Sequence, residues 1–262
     1  MLLVNQFTGF GILTFAKESR AIIDAMTVPP DMARRRLVDL TVRAFLGAAL
    51  WPLIDVMWFM AAHDEQAGRL NWKDPATFTL SPINSPAFTT DRGHAGNGSS
   101  SYLDTLWDAV NNGVQHTLAS SHISIYQLTA GASISPFGND QSGVWRLSVG
   151  AKGTGATSSS AKINATTEIV GTTQGTLPYH LMARSNDGLT GSMVRDGVQH
   201  VAPVALSSPA LVSSDLKFGK RQSSYTNALV AGGSLGGYLD DDQALLFYRI
   251  WNSYMRAVGA DT

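Results

Sequence analysis

The chain contains no cysteine, which removes a disulfide framework, a thiol nucleophile and every cysteine-ligated zinc or iron site. Its stability must come from packing and assembly. Glutamate is nearly as scarce: of 20 acidic residues only Glu18, Glu65 and Glu168 are glutamate. The rest are aspartate, which favours turns and helix caps and suits a loop-rich chain. Charge is thin overall, at 15% of residues with a net of -1. The chain therefore lacks the basic field that gathers proteins on phosphate backbones, and no nucleic-acid partner is expected. Its one basic triplet, Arg34-Arg35-Arg36, reads as the solvated face or end of a helix. A clean membrane-length apolar run is missing too. Ala44 to Ala62 carries Asp55 as its single charge, but Pro52 interrupts it, and a buried aspartate costs about 2.5–3.5 kcal/mol on insertion. Two short buried helices meeting at Leu50-Trp51-Pro52 are expected there, with no membrane span. Met1 to Phe15 is apolar but holds Asn5 and Gln6 and no basic residue before Lys17, unlike a secretory signal.

A hydrophobic fraction of 44% is enough to bury a core, and composition divides the chain into three zones. Residues 1–30 form an apolar arm followed by a short helix, Lys17 to Met26, which Pro29-Pro30 stops. Residues 31–72 read as a helical hairpin. Asp31 caps its first helix, where Leu37, Leu40, Ala44 and Ala48 recur at helical spacing. Pro52 opens the second, whose face is Ile54, Met57, Trp58, Ala61 and Ala62. Residues 73–262 change texture to Ser, Thr, Gly and Asn with short apolar alternations, which is β composition. Strands are expected at His122 to Leu128, Val144 to Val149, Leu177 to Arg184, Gly191 to Val194 and Val198 to Val201. Asn186-Asp187-Gly188 and Asp196-Gly197 supply the positive-φ residues of tight hairpins, so Tyr179 to Val201 is expected to be a three-stranded meander. The regular strand spacing predicts a sandwich. Lys152 to Ser160 is a low-complexity loop. Asp240 to Asp242 then open a closing helix whose apolar positions include Ala244, Phe247, Trp251 and Met255 before Gly259.

Several strings in this sequence resemble a group of phage and prophage proteins. They are Pro-Pro-Asp-Met-Ala-Arg at 29–34, Asp-Glu-Gln-Ala-Gly-Arg-Leu-Asn-Trp at 64–72, Phe-Thr-Leu at 78–80, Asn-Ser-Pro-Ala-Phe-Thr-Thr-Asp-Arg-Gly at 84–93, Gly-Asn-Gly-Ser-Ser-Ser-Tyr-Leu-Asp-Thr at 96–105 and the closing Ala-Leu-Leu-Phe-Tyr-Arg-Ile-Trp-Asn-Ser-Tyr-Met-Arg-Ala-Val-Gly. The group comprises virion structural proteins, and spike proteins of phage-derived gene transfer agents, built on a laminin-G/concanavalin A-like jelly roll. The likeness covers about residues 25 to 260. One departure is Ala48-Ala49-Leu50-Trp51-Pro52, where a polar link between the two helices is expected. The resemblance implies a mainly β fold: a concanavalin/laminin-G-like jelly-roll β-sandwich with an N-terminal arm, a helical hairpin and a C-terminal helix. It implies synthesis in a bacterial cytoplasm and a place on a particle surface, with other particle proteins as partners, homo-oligomer formation and a host-surface polysaccharide as ligand.

The strings are mechanistically mute. Gly232-Gly233-Ser234-Leu235-Gly236 matches a nucleophile elbow, but all six histidines precede Ser234, whereas that fold places the histidine after the nucleophile; a glycine-rich bend is expected. Glycan hydrolysis needs two carboxylates about 5–10 Å apart, and only Glu168 and scattered aspartates lie in the β zone. The chain is therefore read as no enzyme, with no cofactor and no metal-ligand set. His116 and His122 share one face of an expected strand without a third ligand. Asn139-Asp140 and Asp240-Asp241-Asp242 offer hard oxygens for calcium and read equally as a turn and a helix start. Trp107, in the loop-like Leu106 to Gly113 segment, is the aromatic expected to be exposed for sugar stacking. The expected carbohydrate site is Trp107, Asn139, Asp140 and Asp187. A purely architectural spike-base or decoration subunit is the alternative.

Overall fold

The computed structural model describes residues 14–131, 134–139, 146–152, 158–172 and 177–261. Among these, two antiparallel sheets stack, and helices cover the outer face of one. The first sheet runs in the order β13 (Val198–Ala205), β12 (Thr190–Arg195), β11 (Tyr179–Ser185), β6 (Ser121–Gln127), β17 (Leu229–Gly236), β4 (Gly93–Ala95) and β3 (Ala87–Thr89), with β1 (Ile54–Phe59) also paired to β17. The second runs β10 (Ile169–Thr172), β9 (Ser158–Lys162), β8 (Ser148–Lys152), β7 (Phe137–Asn139), β14 (Leu216–Phe218), β5 (Tyr102–Asp104) and β2 (Ser81–Ile83). A small hairpin pairs β15 (Lys220–Arg221) with β16 (Ser224–Tyr225). The helices are α1 (Lys17–Asp24), α2 (Met32–Gly47), α3 (Glu65–Arg69), α4 (Ala109–Asn112) and α5 (Asp241–Ala257). The mainly β sandwich with a closing helix is as the sequence predicts, and β11, β12 and β13 form the expected meander. No helix among the described residues is long and apolar enough to cross a membrane.

Two cores follow from the period-2 alternation of strand side chains. Ile123, Ile125, Leu181, Ala183 and Leu235 turn inward between the sheets. Tyr126, Met182, Val194 and Ala231 face the other way, under α1, α2 and α5. The first sheet is thus buried on both faces, so several of its strands carry apolar residues without a polar side.

This two-sided burial explains the main departure from the expected fold. Residues 31–72 are not a helical hairpin: α2 forms, but Pro52 opens only a 3-10 turn, Trp51–Leu53, and Ile54–Phe59 is a strand. Val56, Trp58 and Met60 enter the core between the sheets, while Met57, Phe59 and Ala61 enter the core under the helices. A short run buried on both sides has no polar period to separate strand from helix, and the β-branched and aromatic content of Ile54, Val56, Trp58 and Phe59 is the cue that favours strand. Asp55 is satisfied at the bulge between Ile54 and Val56. Its carboxylate accepts the backbone N–H groups of Val114, Gln115 and His116 at 3.2, 2.8 and 2.8 Å.

The buried stripe of α2 is Val38, Thr41, Val42 and Phe45, one position round from the expected Leu37, Leu40, Ala44 and Ala48. Leu40 is 65% exposed. Asp31 does cap α2, accepting from the Arg34 N–H at 2.7 Å. The arginine triplet is not simply solvated: Arg34 pairs with Asp91 at 2.6 Å and donates to the Tyr254 hydroxyl at 3.3 Å, and Arg35 donates to Pro30 O. Burial works against the Arg34 charge, but Tyr254 and Asp91 outweigh it and hold its pKa above the ordinary value. Helix α5 packs back on the body as expected, with a reciprocal cap between Asp240 and Gln243. The strand predicted from Val144 is seen as β8, beginning at Ser148; positions 144 and 145 lie outside the described residues. The predicted loop from Lys152 to Ser160 keeps Lys152 in β8 and Ser158 to Ser160 in β9, and 153–157 lie outside the described residues.

The glycine-rich segment is not a bend but the interior of β17. A Cβ at Gly232 would lie 2.4 Å from Trp58 O and 2.7 Å from Trp251 Cζ2. Glycine lets β1 and α5 close on the strand. Gly232→Ala should therefore destabilise the fold by roughly 1–3 kcal/mol through overpacking, read as a lowered denaturant midpoint; an unchanged midpoint would contradict this packing.

Candidate functional site

The four residues expected to form a carbohydrate site do not come together. The Trp107 ring is fully buried in the core between the sheets, edge-on to His116 at 5.7 Å, and so has no face to offer a sugar. The local chain explains the inversion. Asp104 Oδ1 accepts the Leu106 N–H, Thr105 Oγ1 donates to Leu216 O, and Asp108 caps α4 through Val110 and Asn111. Leu106 takes φ 57° and is pushed to the surface, which turns Trp107 inward. The caps at Asp104 and Asp108 are legible as Asx-type turn signals; a reading of the segment as plain loop misses them.

Asn139 is also buried. Its Oδ1 accepts from the backbone of Arg146 and Leu147 at 3.1 and 3.2 Å, which spends that oxygen on tying the residues before β8 to the end of β7. Asp140 lies outside the described residues. Asp187 is exposed at the β11–β12 turn, where Oδ1 accepts from Leu189 and Thr190 at 2.8 and 2.7 Å and Oδ2 accepts the Thr190 hydroxyl at 2.9 Å. The backbone N–H of Thr190, followed by that of Leu189, holds its carboxyl below the usual range.

Next to that turn lies a polar pocket of about 180 Å³ that sequence reasoning misses. It is lined by Arg184, Ser185 and Asn186 at the end of β11, Thr190 to Ser192 of β12, Gln199 and Pro203 of β13, and Tyr238 and Asp241 at the start of α5. Arg184 forms its floor. Nη1 donates to Leu239 O at 2.7 Å, Nε to Ser192 Oγ at 3.3 Å and Nη2 to the Asp241 carboxylate, and the guanidinium lies 5.4 Å from the Tyr238 ring centre. A buried charge needs such pairing to be tolerated. The side-chain amides of Asn186 and Gln199 are exposed, and with a tyrosine and hydroxyl side chains they present the mixture of donors, acceptors and ring that polyhydroxyl ligands engage. The signal in the sequence is indirect: the hairpin at Asn186-Asp187-Gly188 and the start of α5 are both recognisable, but their meeting is a tertiary fact.

The nucleophile-elbow string acquires a histidine in space. Ser234 Oγ lies 3.1 Å from His122 Nε2 and 2.7 Å from Ser124 Oγ, while His122 Nδ1 donates to Gly237 O at 2.6 Å. All three side chains are fully buried, with Phe247 of α5 against the imidazole at 5.8 Å. Burial lowers the His122 pKa to about 4, which makes it a weak base. His116 is likewise buried, its Nε2 against Asn164 Oδ1 at 3.1 Å, in a loop rather than a strand. No group of three or more acidic or histidine side chains that could hold a metal occurs among the described residues.

No family model and no curated protein matches the chain. Among solved structures it is similar to the Trypanosoma rangeli sialidase in complex with 2,3-difluoro-KDN, with a TM-score of 0.53 at 11% identity over 85% of this chain and 40% of that one. It is similar as well to the binding domain of botulinum neurotoxin DC in complex with rat synaptotagmin II, with a TM-score of 0.53 at 9% identity over 77% of this chain and 52% of that one. The chain thus spans about half or less of these neighbours, and at such identity the likeness is one of fold.

Proposed function

We propose that this chain is a non-catalytic surface subunit of a tailed-phage or gene-transfer-agent particle, a head spike or tail-associated adhesin, which holds a host-surface polysaccharide in the pocket between β11, β12, β13 and α5. The observation that carries the binding half is the convergence there of the exposed Asn186 and Gln199 side-chain amides with Tyr238 and the Asp241 carboxylate. The particle half rests on the resemblance of the sequence strings between about residues 25 and 260. Two features support a passive site. Most glycoside hydrolases use a carboxylic acid whose pKa is raised, whereas Asp187 beside the pocket is pushed the other way. The Ser234–His122 pair is closed off from solvent. Imaging of purified particles at a resolution that traces the chain tests the assignment: the pocket is expected on the outer surface, facing away from the particle. A chain inside the capsid, or a pocket covered by a neighbour, would defeat the adhesin reading.

A second reading, an architectural subunit that binds only other particle proteins, is favoured by one observation. Leu37, Leu40, Ala44, Leu246 and Ile250 line a groove of about 320 Å³ between α2 and α5, in which Leu40 and Leu246 are 65% and 41% exposed. Apolar surface of that kind is typical of subunit contacts. On this reading Leu40→Asp combined with Leu246→Asp leaves the thermal midpoint within a few degrees of the parent and lowers incorporation into particles at least tenfold, measured by quantitative blotting. Full incorporation of the double variant would remove the groove from the assembly.

A further inference from the structure

The one cation lining the described part of the pocket lies behind a carboxylate. Arg184 is the sole cation among the described residues that line it, and its side chain is only 3% exposed, whereas that of its partner Asp241 is 75% exposed. Three of its N–H groups are already committed to Ser192, Leu239 O and Asp241. A ligand entering the mouth therefore meets a carboxylate first, and the guanidinium behind it is neutralised. The positive end of α5 offers no compensation, because Asp240 caps it and Asp241 and Asp242 occupy its first turn. Exposed Asp187 sits at the neighbouring turn. A second carboxylate brought against this rim would be repelled, while hydroxyl groups can donate to Asp241 and pair with the Asn186 and Gln199 amides.

We infer that the pocket takes an uncharged sugar and discriminates against uronic and sialic acids. This rests on the glycan-binding reading above and narrows it to a chemical class. The test is calorimetric titration of the full chain with maltotetraose, cellotetraose and chitotetraose, and in parallel with tetragalacturonate and 3′-sialyllactose. At least one neutral tetrasaccharide should bind, and the acidic sugars should bind about tenfold more weakly or worse, a difference of about 1.4 kcal/mol. Asp241→Asn should shrink that discrimination, and Asn186→Ala with Gln199→Ala should weaken neutral binding about tenfold; both variants are checked for an unchanged fold by circular dichroism. Acidic sugars that bind as well as neutral ones overturn the inference and leave the glycan reading standing. So does neutral binding that ignores the amide substitutions, because the sugar then sits elsewhere. Binding of no sugar in either set defeats the glycan reading and the inference together.

Discussion

Between pH 6.5 and pH 4 the protein should lose most of its stability, because three buried histidines must take up protons to do what an unfolded chain does freely. Burial lowers the pKa of His94 and His122 to about 4 and that of His180 to about 3, against an ordinary value of 6.5. The Arg69 charge adds to the effect at His94, and His122 adds to it at His180. Both ring nitrogens of His94 and of His180 lack a partner among the described residues, so protonation gains them no compensating acceptor. The unfolded chain binds more protons than the folded one throughout this interval, so stability falls as pH falls. It is complete above pH 6.5 and is lost down to the folded pKa values. Each histidine contributes roughly 3 kcal/mol of that loss at pH 4, and three together are on the order of 9 kcal/mol, comparable to the whole stability of a typical domain. His116 shifts in the same direction through burial. Asp39, helped by Arg43 and the Ala16 N–H, and Asp187 are lowered carboxyls. What they contribute is lost only as pH falls below the ordinary aspartate range, whereas Asp196 and Asp215, raised by burial, bind protons more readily in the folded chain and offset part of the histidine loss. Tryptophan fluorescence against pH should show cooperative unfolding centred above pH 4, and His180→Phe, set among Tyr126, Phe247 and Trp251, should move the midpoint to lower pH. A flat signal down to pH 4 would contradict the burial of these rings.

The largest effect of a single substitution is expected at Trp58, the centre of the strand that the sequence suggests as a helix. Trp58 is fully buried and meets Phe218 and Phe137 edge-on at 5.7 and 6.3 Å, while those two rings stack at 3.9 Å. Its Nε1 donates to Phe78 O at 2.9 Å, and its backbone pairs with Gly233 of β17. Trp58→Ala removes the ring from the point where β1 joins the two sheets and should cost about 3–5 kcal/mol, read from urea unfolding. A cost under about 1 kcal/mol, the scale of a surface substitution, would contradict the burial of this ring.

These two cases show what the sequence conveys and where it stops. The hairpins at Asn186-Asp187-Gly188 and Asp196-Gly197, the caps at Asp31 and Asp240 and the β texture after residue 73 are local signals, and the structure follows them. Two-sided burial is not local. It turned β1 from helix to strand, and it left Leu37, Leu40 and Ala44 open in a groove while Val38, Val42 and Phe45 took the core. The same limit applies to the candidate site. Asp187 stands beside the pocket, but Arg184, Gln199, Tyr238 and Asp241 meet only because β13 and the start of α5 close over the end of β11. Trp107 failed as an exposed ring because its own turn, built by Asp104, Thr105 and Asp108, rotates it inward.

The proposal stands on a pocket that holds a glycan without altering it. Incubating the purified chain with host-surface polysaccharide, while following both its retention on the polymer and the polymer's chain length, tests that directly. Retention with an unchanged length distribution is the predicted result; a polymer that shortens with time and with the dose of this chain would contradict it.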